Sequence, residues 1–308
     1  MSAIRQYLRD YLAARRALGF KLERQEYLLR SFVRFLESKG AATVTTELAV
    51  AWATDTKESV SWRADRLGTI RPFARYLQAV DPKTEVPPTV LLPRVSHRAT
   101  PHIYTDTEVA ALLKATRALH TRLARTTYAT LIGLLFVTGM RPGEAVGLDQ
   151  TDVDWDHALL TVRDGKFGKL REVALHATTI AALASYSRLR DALIPHRNSP
   201  SFFVSQAGTR LIHTTVNCTY RNLVRAAALE GTCHRRPRLH DFRHTFAVRT
   251  VLDWYRAGLD VGPRLPLLST YLGHVDPGST YWYLSATPEL LSLAAQRLQR
   301  AQEGGETS

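Results

Sequence analysis

The sequence predicts a mainly α-helical protein with one small antiparallel β-hairpin (α+β), divided into an N-terminal helical bundle and a larger C-terminal domain. Three observations carry this expectation. Apolar residues recur at helical spacing through most of the chain. One stretch, Ala158 to Leu175, alternates instead like a pair of strands. Between the two halves, Asp81 to Tyr104 contains Pro82, Pro87, Pro88, Pro93 and Pro101, more prolines than a helix accommodates. At 308 residues the chain is long for one core, and 45% apolar residues suffice to fill two.

Ser2 stands where an N-cap belongs, and Ile4, Tyr7, Leu8, Tyr11 and Leu12 form a helical stripe that Gly19 closes. A second helix is expected from about Leu22 to Lys39, a third from Thr45 or Thr46 around Leu48 to Ala53, and a fourth over roughly Ser59 to Val80. Together they make a four-helix module over residues 1–80. Residues 81–104 read as an extended basic linker, with Arg94 and Arg98 able to lie along a polyanion. The second domain is expected over 105–300, followed by a polar tail at 301–308.

Thr105-Asp106-Thr107-Glu108 is a capping box that starts this domain sharply. Thr126 to Val137 is apolar on nearly every face and predicts a buried central helix ending at Gly139, with a short helix opening at Pro142. Ala158–Val162 and Leu170–Leu175 are the strands, joined by Asp164-Gly165-Lys166-Phe167-Gly168-Lys169. Helices are expected again at Thr178–Leu193, Thr214–Leu229, about His240–Trp254, and in two closing segments.

Charge narrows the partner. The formal net charge is +13, and residues 1–80 alone hold 14 Lys/Arg against 8 Asp/Glu, so a polyanion is the expected ligand. Only seven of the 41 basic residues are lysines, so Lys166 and Lys169 at one hairpin tip stand out. The two cysteines, Cys218 and Cys233, read as structural and suggest a reducing compartment. The N-terminus lacks the apolar core of a secretory signal, and the longest apolar run, Ala129 to Thr138, is too short for a bilayer. A cytoplasmic protein without membrane contact is therefore expected. Asp152, Asp154 and Asp156 alternate like calcium ligands, but His157 stands where that loop needs glycine and Arg163 where it needs glutamate. No phosphate-binding glycine loop and no paired Cys/His pattern occurs, so no metal and no cofactor is expected.

The remaining candidates are cationic and aromatic. Arg141 follows the buried helix directly, where a guanidinium must be paired; it either caps that helix end or, oriented by Glu144, clamps a phosphate. His240 and Arg243 lie three apart at a helix N-terminus, an end that favours anions, beside Arg235, Arg236 and Arg238. A lysine at the hairpin tip could protonate a leaving alkoxide. Near the end, His274 precedes Tyr281 and Tyr283, which are two apart, so on a helix only one of them faces a common target.

Four boxes in order resemble those of the tyrosine recombinase (phage-integrase) family. They are Thr138-Gly139-Met140-Arg141-Pro142-Gly143-Glu144, Gly165-Lys166-Phe167-Gly168-Lys169-Leu170-Arg171-Glu172-Val173, Leu239-His240-Asp241-Phe242-Arg243-His244-Thr245-Phe246-Ala247, and Leu272-Gly273-His274 with Tyr283 nine residues later. The resemblance implies a catalytic set of Arg141, Lys166, His240, Arg243, His274 and Tyr283, with Glu144 and His244 in support. It implies a C-shaped clamp on double-stranded DNA and attack by Tyr283 to form a 3′-phosphotyrosyl link. Rejoining would proceed through a Holliday junction in a homotetramer, with a related recombinase as an alternative partner. Lys169, Arg94, Arg98, Arg235, Arg236 and Arg238 are the expected DNA contacts. The same chemistry would also serve a type IB topoisomerase, and the arginines alone a DNA-binding protein that cuts nothing.

Overall fold

The computed structural model describes residues 2–93, 100–163, 170–197, 199–230 and 236–273, with 278, 290, 292 and 295 as single positions. The chain divides into two compact units, 1–98 and 99–308. In the first, α1 (Ala3–Ala17), α2 (Glu23–Ser38), α3 (Thr46–Thr54) and α4 (Val60–Gln78) bury one core around Leu29, Phe32, Leu36, Trp52, Ile70 and Phe73. Thr45 and Ser59 cap α3 and α4 by accepting from the Leu48 and Trp62 amides. Ser2 takes the cap position of α1, but its hydroxyl reaches Glu37 at 2.5 Å instead of the helix amides.

Part of the segment read as a linker lies against this bundle. Thr84 is buried, and Val86 and Leu92 pack on the core. The Glu85 amide donates to the Val44 carbonyl at 2.8 Å, and Arg71 donates to the carbonyls of Pro87 and Pro88. An extended proline-rich chain makes few backbone bonds within itself. Its carbonyls therefore remain as acceptors for a neighbouring guanidinium. Arg94 and Arg98 lie outside the described residues.

Near the start of the second unit the chain is pinned at Tyr104. Its amide donates to Thr245 Oγ1 at 2.9 Å, its ring stacks on Phe242, and its hydroxyl meets that of Tyr220 at 2.6 Å. α5 (Asp106–Ala115) follows behind the expected capping box. α6 (Arg122–Thr138) starts a turn earlier than its apolar run, because Thr121 caps it. It is buried along Leu131, Ile132, Leu134 and Leu135 but not all round. Val137 is 46% exposed, and Ala129, Thr130 and Gly133 border a groove of about 580 Å³ that Thr178, Thr179 and Ala182 line from the other side. Apolar composition alone therefore overstated this helix's burial; its small residues form an open face.

α7 (Pro142–Gly147) leads into an antiparallel sheet of three strands, β1 (Val153–Asp154), β2 (Leu159–Arg163) and β3 (Leu170–Ala174). β1 was not predicted, being two residues long. In β2 and β3, Leu160 pairs with Val173 and Val162 with Arg171, which places Arg171 on the inward face beside Val173. The candidate calcium aspartates do other work: Asp152 is buried against Arg163, and Asp154 accepts from the amides of Asp156 and His157 in a turn.

α8 (Ala177–Leu193), α9 (His213–Ala226), α10 (Asp241–Arg256) and α11 (Leu265–Leu272) follow in the described part of the unit. Cys218 lies on the exposed side of α9; Cys233 falls outside the described residues. Among those residues, no helix is long and apolar enough to cross a membrane.

Candidate active site

The site is assembled at helix ends. α6 stops at Gly139, whose φ of 62° is left-handed, and a Cβ there would stand 2.6 Å from the Phe246 ring. Only glycine fits that turn. The chain then restarts at once. Arg141 is the N-cap of α7, Pro142 its first residue, and Glu144 Oε2 accepts the Arg141 amide at 2.8 Å. This local capping pattern draws the Glu144 carboxylate back over Arg141, whose Nη1 reaches Oε1 at 2.6 Å.

A second guanidinium reaches the same carboxylate from the sheet. Arg171 Nη1 and Nη2 donate to Glu144 Oε1 and Oε2 at 3.1 and 2.6 Å, while its Nε donates to the Tyr271 carbonyl at 3.0 Å. Burial acts to raise the Glu144 pKa, but the hydrogen bonds from Arg171 and Arg141 outweigh it and hold the group below the ordinary carboxylate range.

Arg243 approaches from α10. It is 1% exposed, and donates through Nη1 to the Gly139 carbonyl at 3.1 Å and through Nη2 to the Leu272 carbonyl at 2.5 Å. Asp241, also buried, fixes the start of this helix by accepting from the Arg238 amide and Nη2, both at 2.8 Å. Finally, Arg141 Nη2 donates to the Gly273 carbonyl at 2.8 Å. The last carbonyls of α11, at Tyr271, Leu272 and Gly273, are thus each taken by a different arginine, from β3, α10 and α7. A helix C-terminus exposes such carbonyls and the negative end of its dipole, which offsets three converging cations.

Of the two readings left open for Arg141, capping of the helix before it is not what the structure shows. Arg243 serves the end of α6, and Arg141 serves α11. Sequence neighbours suggested the first pairing, but the turn at Gly139 carries Arg141 away from α6.

His240 and His244 stand one turn apart, their rings T-shaped at 5.0 Å between centroids. His240 is open to solvent on one side, yet its partial burial and the Arg243 charge lower its pKa. Burial and the His240 ring push His244 down to about 4. Both rings are therefore neutral at pH 7. Because the folded state resists protonating His244, the associated stability is present above the ordinary value near 6.5 and declines as pH falls toward 4. Denaturant midpoints are expected to drop between pH 7 and pH 4.5, and to drop less in His244→Gln. An unchanged pH dependence in that variant would remove His244 as the cause.

From His240 a groove of about 590 Å³ runs along α9, lined by His213, Asn217, Arg221, Arg236 and Arg238. The first three were not singled out in the sequence, although their spacing of four residues on an amphipathic helix marks them as one polar stripe. Arg236 pairs with Glu230 at 2.7 Å. Of the predicted site residues, Arg141, Glu144, His240, Arg243 and His244 are gathered here. Lys166, Lys169, Arg235, His274 and Tyr283 lie outside the described residues. The signal for Arg171 was legible but missed: a charge on the inward parity of a strand must find a partner.

The model of the phage integrase family matches residues 103–289. A Sinorhizobium fredii protein, y4rB, which bears an integrase/recombinase name, is 45% identical over 311 residues, covering 98% of this chain and 99% of its own. The tyrosine recombinase XerD of Brucella abortus is 28% identical over 303 residues, 94% of each chain. Among solved structures, the Tn1549 transposon integrase in complex with transposon right end DNA aligns with a TM-score of 0.68 at 16% identity, over 97% of this chain and 99% of that one; that likeness establishes the two-domain fold. With the family model spanning most of the C-terminal unit and a near full-length relative at this identity, the chain belongs to the phage integrase family and is a tyrosine-type site-specific DNA recombinase.

Proposed function

We propose that Arg141, Lys166, His240, Arg243, His274 and Tyr283 perform the cleavage and rejoining step, acting on double-stranded DNA without metal or nucleotide. The single observation that supports this assignment is the convergence of Arg141 and Arg243 on adjacent carbonyls, Gly273 and Leu272, directly before His274. Two cations are thereby anchored where a phosphodiester would need its non-bridging oxygens balanced. His240, neutral at working pH, accepts the proton of the Tyr283 hydroxyl. The Tyr283 oxygen attacks phosphorus, the bond to the 5′ oxygen breaks, and Lys166 protonates that leaving oxygen. The 3′-phosphotyrosyl bond conserves the energy for rejoining, so the reverse step on a partner strand needs no ATP.

Exchanging both strands of two duplexes requires four cuts. With one nucleophile per chain, four copies would act in two pairs through a Holliday junction. The N-terminal bundle, with its excess of arginine, together with Arg94, Arg98, Lys169, Arg235, Arg236, Arg238 and the α9 stripe, is assigned to the DNA backbone and grooves. A soluble cytoplasmic enzyme serving the movement of a genetic element fits this reading.

The test is a nicked suicide duplex that traps the covalent adduct. Wild type and Tyr281→Phe are expected to form it and Tyr283→Phe to form none; an adduct from Tyr283→Phe would overturn the choice of nucleophile. Lys166→Ala is expected to slow cleavage with little change in DNA affinity, whereas equal losses of both would make it a phosphate contact.

A further inference from the structure

The geometry points to Arg171 as a positioning residue for the cleavage step, one that locks the Glu144 carboxylate and the end of α11 into a single arrangement and so sets where Arg141 stands. This rests on the reading of Arg141 as a catalytic residue. Arg171 is the second residue of β3 and pairs in register with Val162. Its Nη1 and Nη2 fork onto both oxygens of Glu144, and its Nε holds the Tyr271 carbonyl. Three donors on one rigid plane therefore tie together β3, the first turn of α7 and the last turn of α11.

The arrangement leaves little slack. The side chain of Arg171 is 14% exposed and that of Glu144 is 7%. Gly273 sits against the Arg171 guanidinium, and a Cβ added there would lie 3.2 Å from Nη1. With its fork committed to a carboxylate, Arg171 is a poor candidate for a phosphate contact. Arg141, by contrast, is 34% exposed at its side chain while sharing the same carboxylate. Arg171 thus neutralises and orients Glu144, and Glu144 in turn aims Arg141. A displacement of about 1 Å at a reacting centre costs on the order of a hundredfold in rate.

The experiment compares Arg171→Met and Arg171→Lys with wild type at saturating nicked duplex, alongside DNA affinity, its salt dependence, and amide exchange of residues 270–273. Arg171→Met is expected to lose about a hundredfold in single-turnover cleavage with affinity and salt slope unchanged, and to exchange faster at the end of α11. Arg171→Lys, which can hold one oxygen but cannot fork, is expected to recover part of the rate. Adding Arg171→Met to Glu144→Gln is expected to cost little more than Glu144→Gln alone. Weaker affinity with a shallower salt slope and near-normal cleavage would make Arg171 a phosphate contact and overturn the proposal. So would unaltered cleavage, or unaltered exchange at 270–273 in both variants. If Arg171→Met does not fold, Arg171→Lys decides by the same measures. An inactive wild type would instead count against the catalytic assignment, and the exchange measurement would still report on the clamp.

Discussion

Arg243→Ala is expected to lower the unfolding free energy of the C-terminal unit by about 4 kcal/mol and to reduce strand cleavage by at least on the order of a hundredfold. The stability loss has two sources. The side chain is 1% exposed, so its removal leaves a cavity inside a packed region. It also strips the carbonyls of Gly139 and Leu272 of their guanidinium partner at the ends of two helices. Each buried carbonyl left unpaired costs about 1–3 kcal/mol. Relief of a buried charge near other arginines offsets part of this, which keeps the sum near the stated value. Arg243→Lys retains the charge but cannot span two carbonyls in a fixed plane, and should fall between the two. Chemical denaturation followed on the isolated transition of this unit checks the first figure; a loss under 1 kcal/mol would mean that Arg243 does not tie α6 to α11.

Glu144→Gln is the second large effect, expected at about 3 kcal/mol of stability together with a collapse of cleavage. The carboxylate accepts four donors, two on each oxygen. Arg141 Nη1 and Arg171 Nη1 meet Oε1, while the Arg141 amide and Arg171 Nη2 meet Oε2. An amide replaces one of those oxygens with an NH₂ group, which then faces two donors whichever way it is turned. Two guanidinium groups lose their shared counter-charge in a site where Glu144 is 7% exposed. Retention of stability and rate in Glu144→Gln would show that the carboxylate only fills space.

Much of this site was legible because its residues sit at punctuation marks in the chain. Gly139, Pro142 and Glu144 announce a helix stop and restart, and helical spacing places His240 and His244 on one side of α10. The Thr105–Glu108 capping box and the N-caps Thr45 and Ser59 could be read in the same way, since each depends on neighbours within four residues. Arg171 was harder. Its strand parity marks it as inward, but its partners Glu144 and Tyr271 are 27 and 100 residues away. The packed stretch at 84–92 and the open face of α6 were missed for a related reason: composition reports how apolar a segment is, not which neighbour arrives to cover it.

The amino-acid order by itself determined the helical class, the antiparallel pair β2–β3, the excess of positive charge and the kinds of chemical groups available, because these follow from local periodicity, capping and residue type. Only the tertiary structure decided which helix end each arginine serves. It set Arg141 on the end of α11 and Arg243 between the ends of α6 and α11, and enlisted Arg171 to hold the third carbonyl of α11. The physical reason is that a guanidinium has several donors and a long reach, so its partner is chosen by whichever carbonyl or carboxylate the packed chain brings within 3 Å.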